Sequence, residues 1–411
     1  MAILRSSSIC TAFILLVSPV LFQASLARSL DGHWNPKNPS CPTTIFNFGD
    51  SLSDTGNVNL VFPFISDPEN PPYGEKFFGR PARRFCNGRL VIDFIAIAFG
   101  FPLLDPHTLT VAHNYAHGAN FAYAGATSSR DNFFVPFYLG LQTAQFLRFK
   151  SLTLAAQQED DAFEDFNRYL PEASSFSSAL YTIGIGGNDF LSSFFRMENP
   201  QQIINEKVPL AVQGIVDAVK ILYQQDARNF LIYNVPPEGC SSVFLTVFRD
   251  LGLPKDDLGC LLPVNLVNQA FNAALYKAIQ DLRSSLPGVT ISQFDYYSAN
   301  LEILKNPATY GFNPALTQTT CCGAPGQGSF NYNLNITCGH PGSSACSNAD
   351  EYVIWDGIHF TEAFYRVIAK FVLNGQYVDP PVNLTSECNL SFENFGQTTY
   401  SETFPGGSLL L

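Results

Sequence analysis

Two short stretches near opposite ends of the chain carry residues that together could do nucleophilic chemistry. In the first, Gly49, Asp50, Ser51 and Leu52 follow a short apolar run at 44–48. A serine hydroxyl is a weak nucleophile and needs a base that titrates near the operating pH, which imidazole supplies. The second stretch, Trp355 to Phe360, holds Asp356 and His359. A carboxylate three residues before a histidine in a turn can reach the far ring nitrogen, fix the tautomer and stabilise the imidazolium. Of the six histidines only His359 has this arrangement. His33, His107, His113, His117 and His340 read as surface or core polar residues, with His113 or His117 able to line a pocket. Each stretch also has a plainer reading: a serine after a strand commonly caps a helix, and a histidine before a helix is commonly structural.

Attack on an acyl carbonyl needs donors for the charge that develops on its oxygen; losing one such donor costs ~10²–10³ in rate. Two segments supply candidates. Residues 119–127 run from a strand into a small-residue turn in which Gly125 can bring its backbone N–H close to substrate. Residues 183–189 end in Gly186, Gly187, Asn188 and Asp189, where Asn188 or Asp189 either caps the next helix or, for Asn188, offers a side-chain amide.

To serve one site these segments must meet, so the elements between them matter. Strand signals at 44–48, 120–123, 180–185, 229–235 and 289–294 alternate with helical patterns at 89–99, 208–223, 264–286 and 362–373. This alternation predicts an α/β fold: a three-layer, doubly wound, parallel five-stranded sheet. Loops after its strands put Ser51, Gly125 and Asn188 at the carboxyl edge, where open α/β sheets bind ligands. Residues 61–86 and 317–350 are rich in Pro, Gly and Cys and read as tied-down surface loops.

Taken in order, the four blocks resemble the GDSL, or SGNH, hydrolase family, in particular its large plant-type esterase/lipase branch. The resemblance spans about 43–373 and extends to Pro72, Tyr73, Gly74 and to Arg84, Phe85, Gly88, Arg89. One departure is Arg83, where many relatives have glycine, followed by Cys86 after the Arg-Phe pair. The resemblance implies Ser51 as nucleophile, Asp356 and His359 as its partners, and an oxyanion hole made of the Ser51 and Gly125 N–H groups with the Asn188 side chain. It implies a flavodoxin-like sheet and no metal or organic cofactor. Hydrolysis of an ester through an acyl-enzyme is the expected reaction. Transfer of the acyl group to an alcohol uses the same triad, and a secreted glycoprotein that binds without catalysis is the reading from another class.

Composition bounds the rest. With 411 residues, 46% hydrophobic and 14% charged, the chain can bury a full core. Thirty-five acidic against 23 basic residues give a net charge of −12, which argues against a nucleic-acid or anionic-lipid partner and suits a neutral or apolar substrate; together with the resemblance, the expected partner is a small-molecule or lipid ester. Arg5, an apolar stretch at 12–22 and small residues at Ser25 and Ala27 read as an export signal over 1–27, which leaves one hydrolase domain at 28–391, a loose tail at 392–411 and no integral membrane segment. Export fits the cysteines, which an oxidising compartment would pair; losing Cys10 leaves an odd number, so one is free or bonded to another chain. Asn335, Asn383 and Asn389 each begin a glycosylation acceptor triplet. Neither the ester nor the oligomeric state is legible.

Overall fold

The computed structural model describes residues 41–397 apart from 66, 131–134, 159–163, 327 and 329; the expected export signal at 1–27 and residues 398–411 lie outside them. Its centre is a six-stranded sheet in the order β2-β1-β3-β4-β5-β8. The five long-range parallel strands are β1 (Ile45–Gly49), β2 (Gly118–Asn120), β3 (Leu180–Gly184), β4 (Asn229–Tyr233) and β5 (Thr290–Phe294). A separate two-stranded pair, β6 (Cys322–Gly323) and β7 (Ser344–Ala345), lies in the cysteine-rich loop. The sequence reading omits β8 (Val378–Asp379), which closes the edge antiparallel to β5. Two residues are too few to show an alternating pattern.

Successive side chains on a strand point to opposite faces, and here they sort into two cores. Phe46 and Phe48 of β1, Tyr181 and Ile183 of β3 and Phe230 and Ile232 of β4 join helices Leu139–Ala156, Val208–Tyr223 and Leu262–Ser285 on one face. Ile45, Leu180, Leu231 and Phe294 face the helices Val91–Ala98, Tyr296–Lys305 and Glu362–Leu373 on the other. The sheet is therefore covered on both sides, as parallel sheets require. Helix Leu139–Ala156 is absent from the sequence reading because its inward side mixes Leu139 and Phe146 with Gln142, Thr143, Lys150 and Thr153, which breaks up the apolar stripe.

Strand order reverses at β1, whose neighbours are β2 on one side and β3 on the other. At that reversal the loops after β1 and β3 diverge toward opposite faces and leave a crevice at the carboxyl edge. The three strands meet there through polar side chains in register, Asn120 beside Asn47 and Asn47 beside Thr182. The Asn47 amide donates to Asn120 Oδ1 at 2.9 Å and to Ser53 Oγ at 3.0 Å, and its Oδ1 accepts from Thr182 Oγ1 at 2.7 Å. Buried polar groups cost stability unless satisfied, and a connected set fixes geometry. This one anchors the turn that carries Ser51.

Disulfides hold the loops: Cys321–Cys346 and Cys322–Cys338 staple the region around β6 and β7, Cys240–Cys260 ties two loops near the crevice, and Cys41–Cys388 joins the ends of the domain. Cys86 is the free cysteine among the described residues, and it is buried. Arg83 keeps a left-handed backbone with φ 58°, a conformation glycine adopts at no steric cost, and its guanidinium pairs with Glu69 at 3.2 Å. Beyond the disulfide at Cys388, Phe395 is buried, and Arg89 donates to the carbonyls of Asn394, Phe395 and Gln397. No helix of the described residues is long and apolar enough to cross a membrane.

Candidate active site

Chain direction puts β1, β2, β3 and β4 side by side with their carboxyl ends together, so the residues that follow them converge. Ser51 stands two residues beyond β1, in a turn closed by the N–H groups of Ser53 and Asp54 donating to the Asp50 carbonyl at 3.1 and 3.0 Å. Below it, Gln142 clasps Gly49 from both sides: Oε1 accepts the Gly49 N–H at 2.9 Å and Nε2 donates to its carbonyl at 2.8 Å. Asp54 accepts the N–H groups of Gly56, Asn57, Val58 and Ala124. The last of these bonds ties the turn after β1 to the segment after β2.

Asp356 and His359 lie on the turn before helix Glu362–Leu373, whose N-cap is Thr361 with its side chain accepting the Phe364 N–H. Asp356 Oδ2 meets His359 Nδ1 at 2.7 Å, and Oδ1 accepts the N–H groups of His359 at 2.8 Å and Ile358 at 3.1 Å. Both side chains are buried. Burial alone would push the Asp356 carboxyl up, but the adjacent imidazole, its hydrogen bond and the two N–H groups outweigh it and hold the carboxyl below its ordinary value. An ionised carboxylate against Nδ1 leaves the other ring nitrogen of His359 to act as a base.

One cavity of about 190 Å³ has Ser51, Asn188 and His359 on its wall, together with Asp50 and Glu238. Its remaining wall is largely apolar, including Leu191, Phe195 and Phe244. Asn188 opens helix Asn188–Phe195 directly after β3, and its Nδ2 donates to the Ala126 carbonyl at 3.0 Å, in the turn that holds Gly125. Gly125 adopts φ 77° and is not among the residues lining the cavity. Asp189 accepts the N–H groups of Ser128 and Ser129 at 2.8 and 3.0 Å, so the loops after β2 and β3 are joined at two places.

The other described histidines lie apart from this cavity. His107 bonds Tyr123, His117 bonds the Thr43 carbonyl, His340 pairs with Asp67, and His113 lines a second cavity with Arg80 and Arg84. His33 lies outside the described residues.

Three contacts were not assigned a role from sequence. Tyr73 donates from its hydroxyl to Asp356 Oδ2 at 2.9 Å, Phe85 packs its ring 4.9 Å from the His359 ring, and Glu238 faces the cavity. The first two sit inside the Pro-Tyr-Gly and Arg-Phe segments, so their positions were visible although their partners, nearly three hundred residues away, were not.

Burial pushes the Asp50 carboxyl up to about 7, against the opposing Leu52 N–H and His359 imidazole, and it pushes Glu238 up to about 7 against its bond from Asn268. The sign for stability follows from linkage. An Asp50 that releases its proton near pH 7 when folded, but near 3.8 when unfolded, loses its stabilising contribution as pH rises through that window. Asp50→Asn, which has no proton to lose, is therefore expected to unfold at a higher temperature relative to the unmutated protein at pH 8 than at pH 4. Equal differences at both pH values, read by intrinsic fluorescence, would remove Asp50 from this role.

The comparisons agree with this architecture. The family described as GDSL-like lipase/acylhydrolase matches residues 45–372. "Alpha-L-fucosidase 3" of Arabidopsis thaliana is 38% identical, covering 86% of this chain and 96% of the relative. "GDSL esterase/lipase ENOD8" of Medicago truncatula is 36% identical over 86% and 91% of the two chains, and an "Esterase" of Hevea brasiliensis is 37% identical over 84% and 88%. The match runs from the first strand to the helix after His359, and so takes in every block that borders the cavity. On the length of that match and on the fold, the chain belongs to the GDSL-like lipase/acylhydrolase family.

Proposed function

We propose that this protein hydrolyses carboxylic esters with Ser51 as nucleophile, His359 as general base and Asp356 as the group that orients and stabilises His359. The observation that carries the reading is the 2.7 Å bond from Asp356 Oδ2 to His359 Nδ1, made by a histidine that shares one cavity with Ser51. His359 takes the Ser51 proton as the hydroxyl attacks the ester carbonyl. The tetrahedral oxyanion is held by the Ser51 N–H and by the Asn188 amide, which has two N–H groups and spends one on Ala126; the turn fixed by that bond carries Gly125, the third donor that the family resemblance implies. The C–O bond to the alcohol then breaks, His359 returns the proton to the leaving oxygen, and water repeats the sequence on the acyl-enzyme to release the acid.

Export through the secretory pathway fits the same protein. Four disulfides are formed, and Asn335, Asn383 and Asn389 are all exposed where a glycan could be added. The relatives carry names from two chemistries, a fucosidase and esterases, at similar identity. The site favours the esterase names: Asp50 and Glu238 also face the cavity, but a serine beside a histidine whose Nδ1 is held by a buried carboxylate is the equipment of acyl transfer, and glycoside hydrolysis ordinarily has no use for it.

Stopped-flow hydrolysis of p-nitrophenyl butyrate tests the two-step course. A burst of p-nitrophenolate approaching one equivalent per protein, followed by slower turnover, is expected where deacylation limits the rate, and adding an alcohol acceptor reports transfer in the same experiment. Total absence of turnover across p-nitrophenyl esters of two to eight carbons would contradict the proposal.

A further inference from the structure

The cavity wall carries two carboxyl groups, and the proposed reaction uses neither. Asp50 belongs to the turn that builds the site, with Oδ1 accepting the Leu52 N–H at 3.0 Å. Glu238 is different. It begins the 3₁₀ turn Glu238–Cys240, which follows β4 after Pro236 and Pro237, and no bond of the triad or of the turn after β1 involves it.

Its position is nevertheless closely fixed. Helix Leu262–Ser285 presents Asn265, Asn268 and Asn272 along one side, a spacing of three and four that keeps them on a single helical face. Each is used on the loop after β4. Asn272 accepts the Val235 N–H and donates to the Val235 carbonyl, both at 3.0 Å. Asn268 accepts the Glu238 N–H at 3.3 Å and donates to Glu238 Oε2 at 2.9 Å, and Asn265 accepts the Gly239 N–H at 2.9 Å. The Cys240–Cys260 disulfide then locks the turn covalently to the segment leading into that helix.

With Oε2 held by Asn268, the second carboxyl oxygen is directed at Gly187. A β-carbon at Gly187 would collide with Glu238 Oε1, so the carboxyl lies directly beside the residue that precedes Asn188. Glu238 also lines the mostly apolar cavity, so its carboxyl stands in that wall next to the amide proposed to hold the oxyanion. A carboxyl placed so rigidly in such a wall discriminates against a purely hydrocarbon substrate, which would leave it without a partner.

Resting on the esterase reading of this site, we propose that Glu238 is a specificity-determining residue that hydrogen-bonds a hydroxyl group of the substrate, so that the preferred esters carry a hydroxyl close to the scissile bond. A hydroxyl suits the carboxyl in either protonation state, because it can both donate and accept. With the group pushed up to about 7, both states are populated near neutral pH.

The test compares kcat/KM for two pairs of esters that differ only in hydroxylation: propyl butyrate with 2,3-dihydroxypropyl butyrate, and p-nitrophenyl butyrate with p-nitrophenyl 3-hydroxybutyrate. The first pair reads the alcohol side and the second the acyl side. The unmutated protein is expected to favour the hydroxylated member of one pair by about tenfold or more, and Glu238→Leu to bring that ratio to about one. Glu238→Gln, which keeps the volume and a bond to Asn268, is expected to lower the ratio at least about threefold, and it carries the test if the leucine variant does not fold. No preference in either pair, or a preference that survives both variants, overturns the assignment. Failure of the unmutated protein to cleave any of the four esters is a separate result: it overturns the esterase reading, and this proposal with it.

Discussion

Ser51→Ala is expected to lower kcat for a p-nitrophenyl ester by on the order of 10⁵-fold, with KM changed by less than about threefold and the unfolding temperature within a few degrees of the unmutated protein. The hydroxyl is the only group lost, and Ser51 is half-buried on the cavity wall, where removal of one oxygen creates little strain. Two features keep the scaffold intact. The turn is closed by main-chain bonds to the Asp50 carbonyl, and it is supported from below by Asn47 and Asn120, neither of which bonds the Ser51 hydroxyl. Residual rate in the variant reports what the oxyanion donors and binding contribute alone. Retention of more than about a tenth of the activity would show that another group attacks the ester.

Asp356→Asn is expected to cost about 10⁴-fold in kcat while leaving the fold standing. The amide can keep accepting the N–H groups of Ile358 and His359 through its oxygen, so the turn before helix Glu362–Leu373 retains its geometry. What changes is the partner of Nδ1. An amide carries no charge to stabilise the imidazolium, and its N–H can favour the tautomer in which Nδ1 accepts and Nε2 carries the proton, so that the nitrogen left for Ser51 cannot take the hydroxyl proton. Tyr73 makes the effect sharper, since its hydroxyl donates to the same Oδ2 that meets His359 and so fixes which oxygen is used. In the proposed triad Ser51 and Asp356 act as a unit, so Ser51→Ala and the double variant Ser51→Ala/Asp356→Asn should have nearly the same residual rate. A double variant about 10⁴-fold slower than Ser51→Ala would instead mean that Asp356 works independently of the serine.

How far such a site can be read from sequence depends on whether its contacts are local. The Asp356–His359 bond spans one turn, so its spacing is visible in the chain, and the strand signals before Ser51 and Asn188 survive because both β1 and β3 are buried on two faces. The second strand was expected at 120–123, whereas β2 is Gly118–Asn120. The extended chain does continue there, with Phe121 and Tyr123 donating to the carbonyls of Asn47 and Gly49. Register and strand ends are set by the neighbour, which periodicity does not contain.

What stayed hidden is tertiary and polar. Gln142 supports Gly49 across 93 positions and Tyr73 reaches Asp356 across 283, and no local pattern encodes either contact. Asn265, Asn268 and Asn272 did leave a trace, three amides on one helical face. Their spacing of three and four does not name the loop that they hold. The odd cysteine is similar: parity leaves one cysteine free or bonded to another chain, and the fold shows Cys86 as the free one among the described residues, buried in the core.

The central claim, that the Ser51 hydroxyl is the group activated in this cavity, is tested most directly by reaction with a fluorophosphonate followed by peptide mapping. One equivalent of probe on the peptide containing Ser51, lost in Ser51→Ala and strongly slowed in Asp356→Asn, is the expected result. Ser53 and Ser241 line the same cavity and serve as internal controls. A tag on either of them, or no tag on folded protein, would contradict the account.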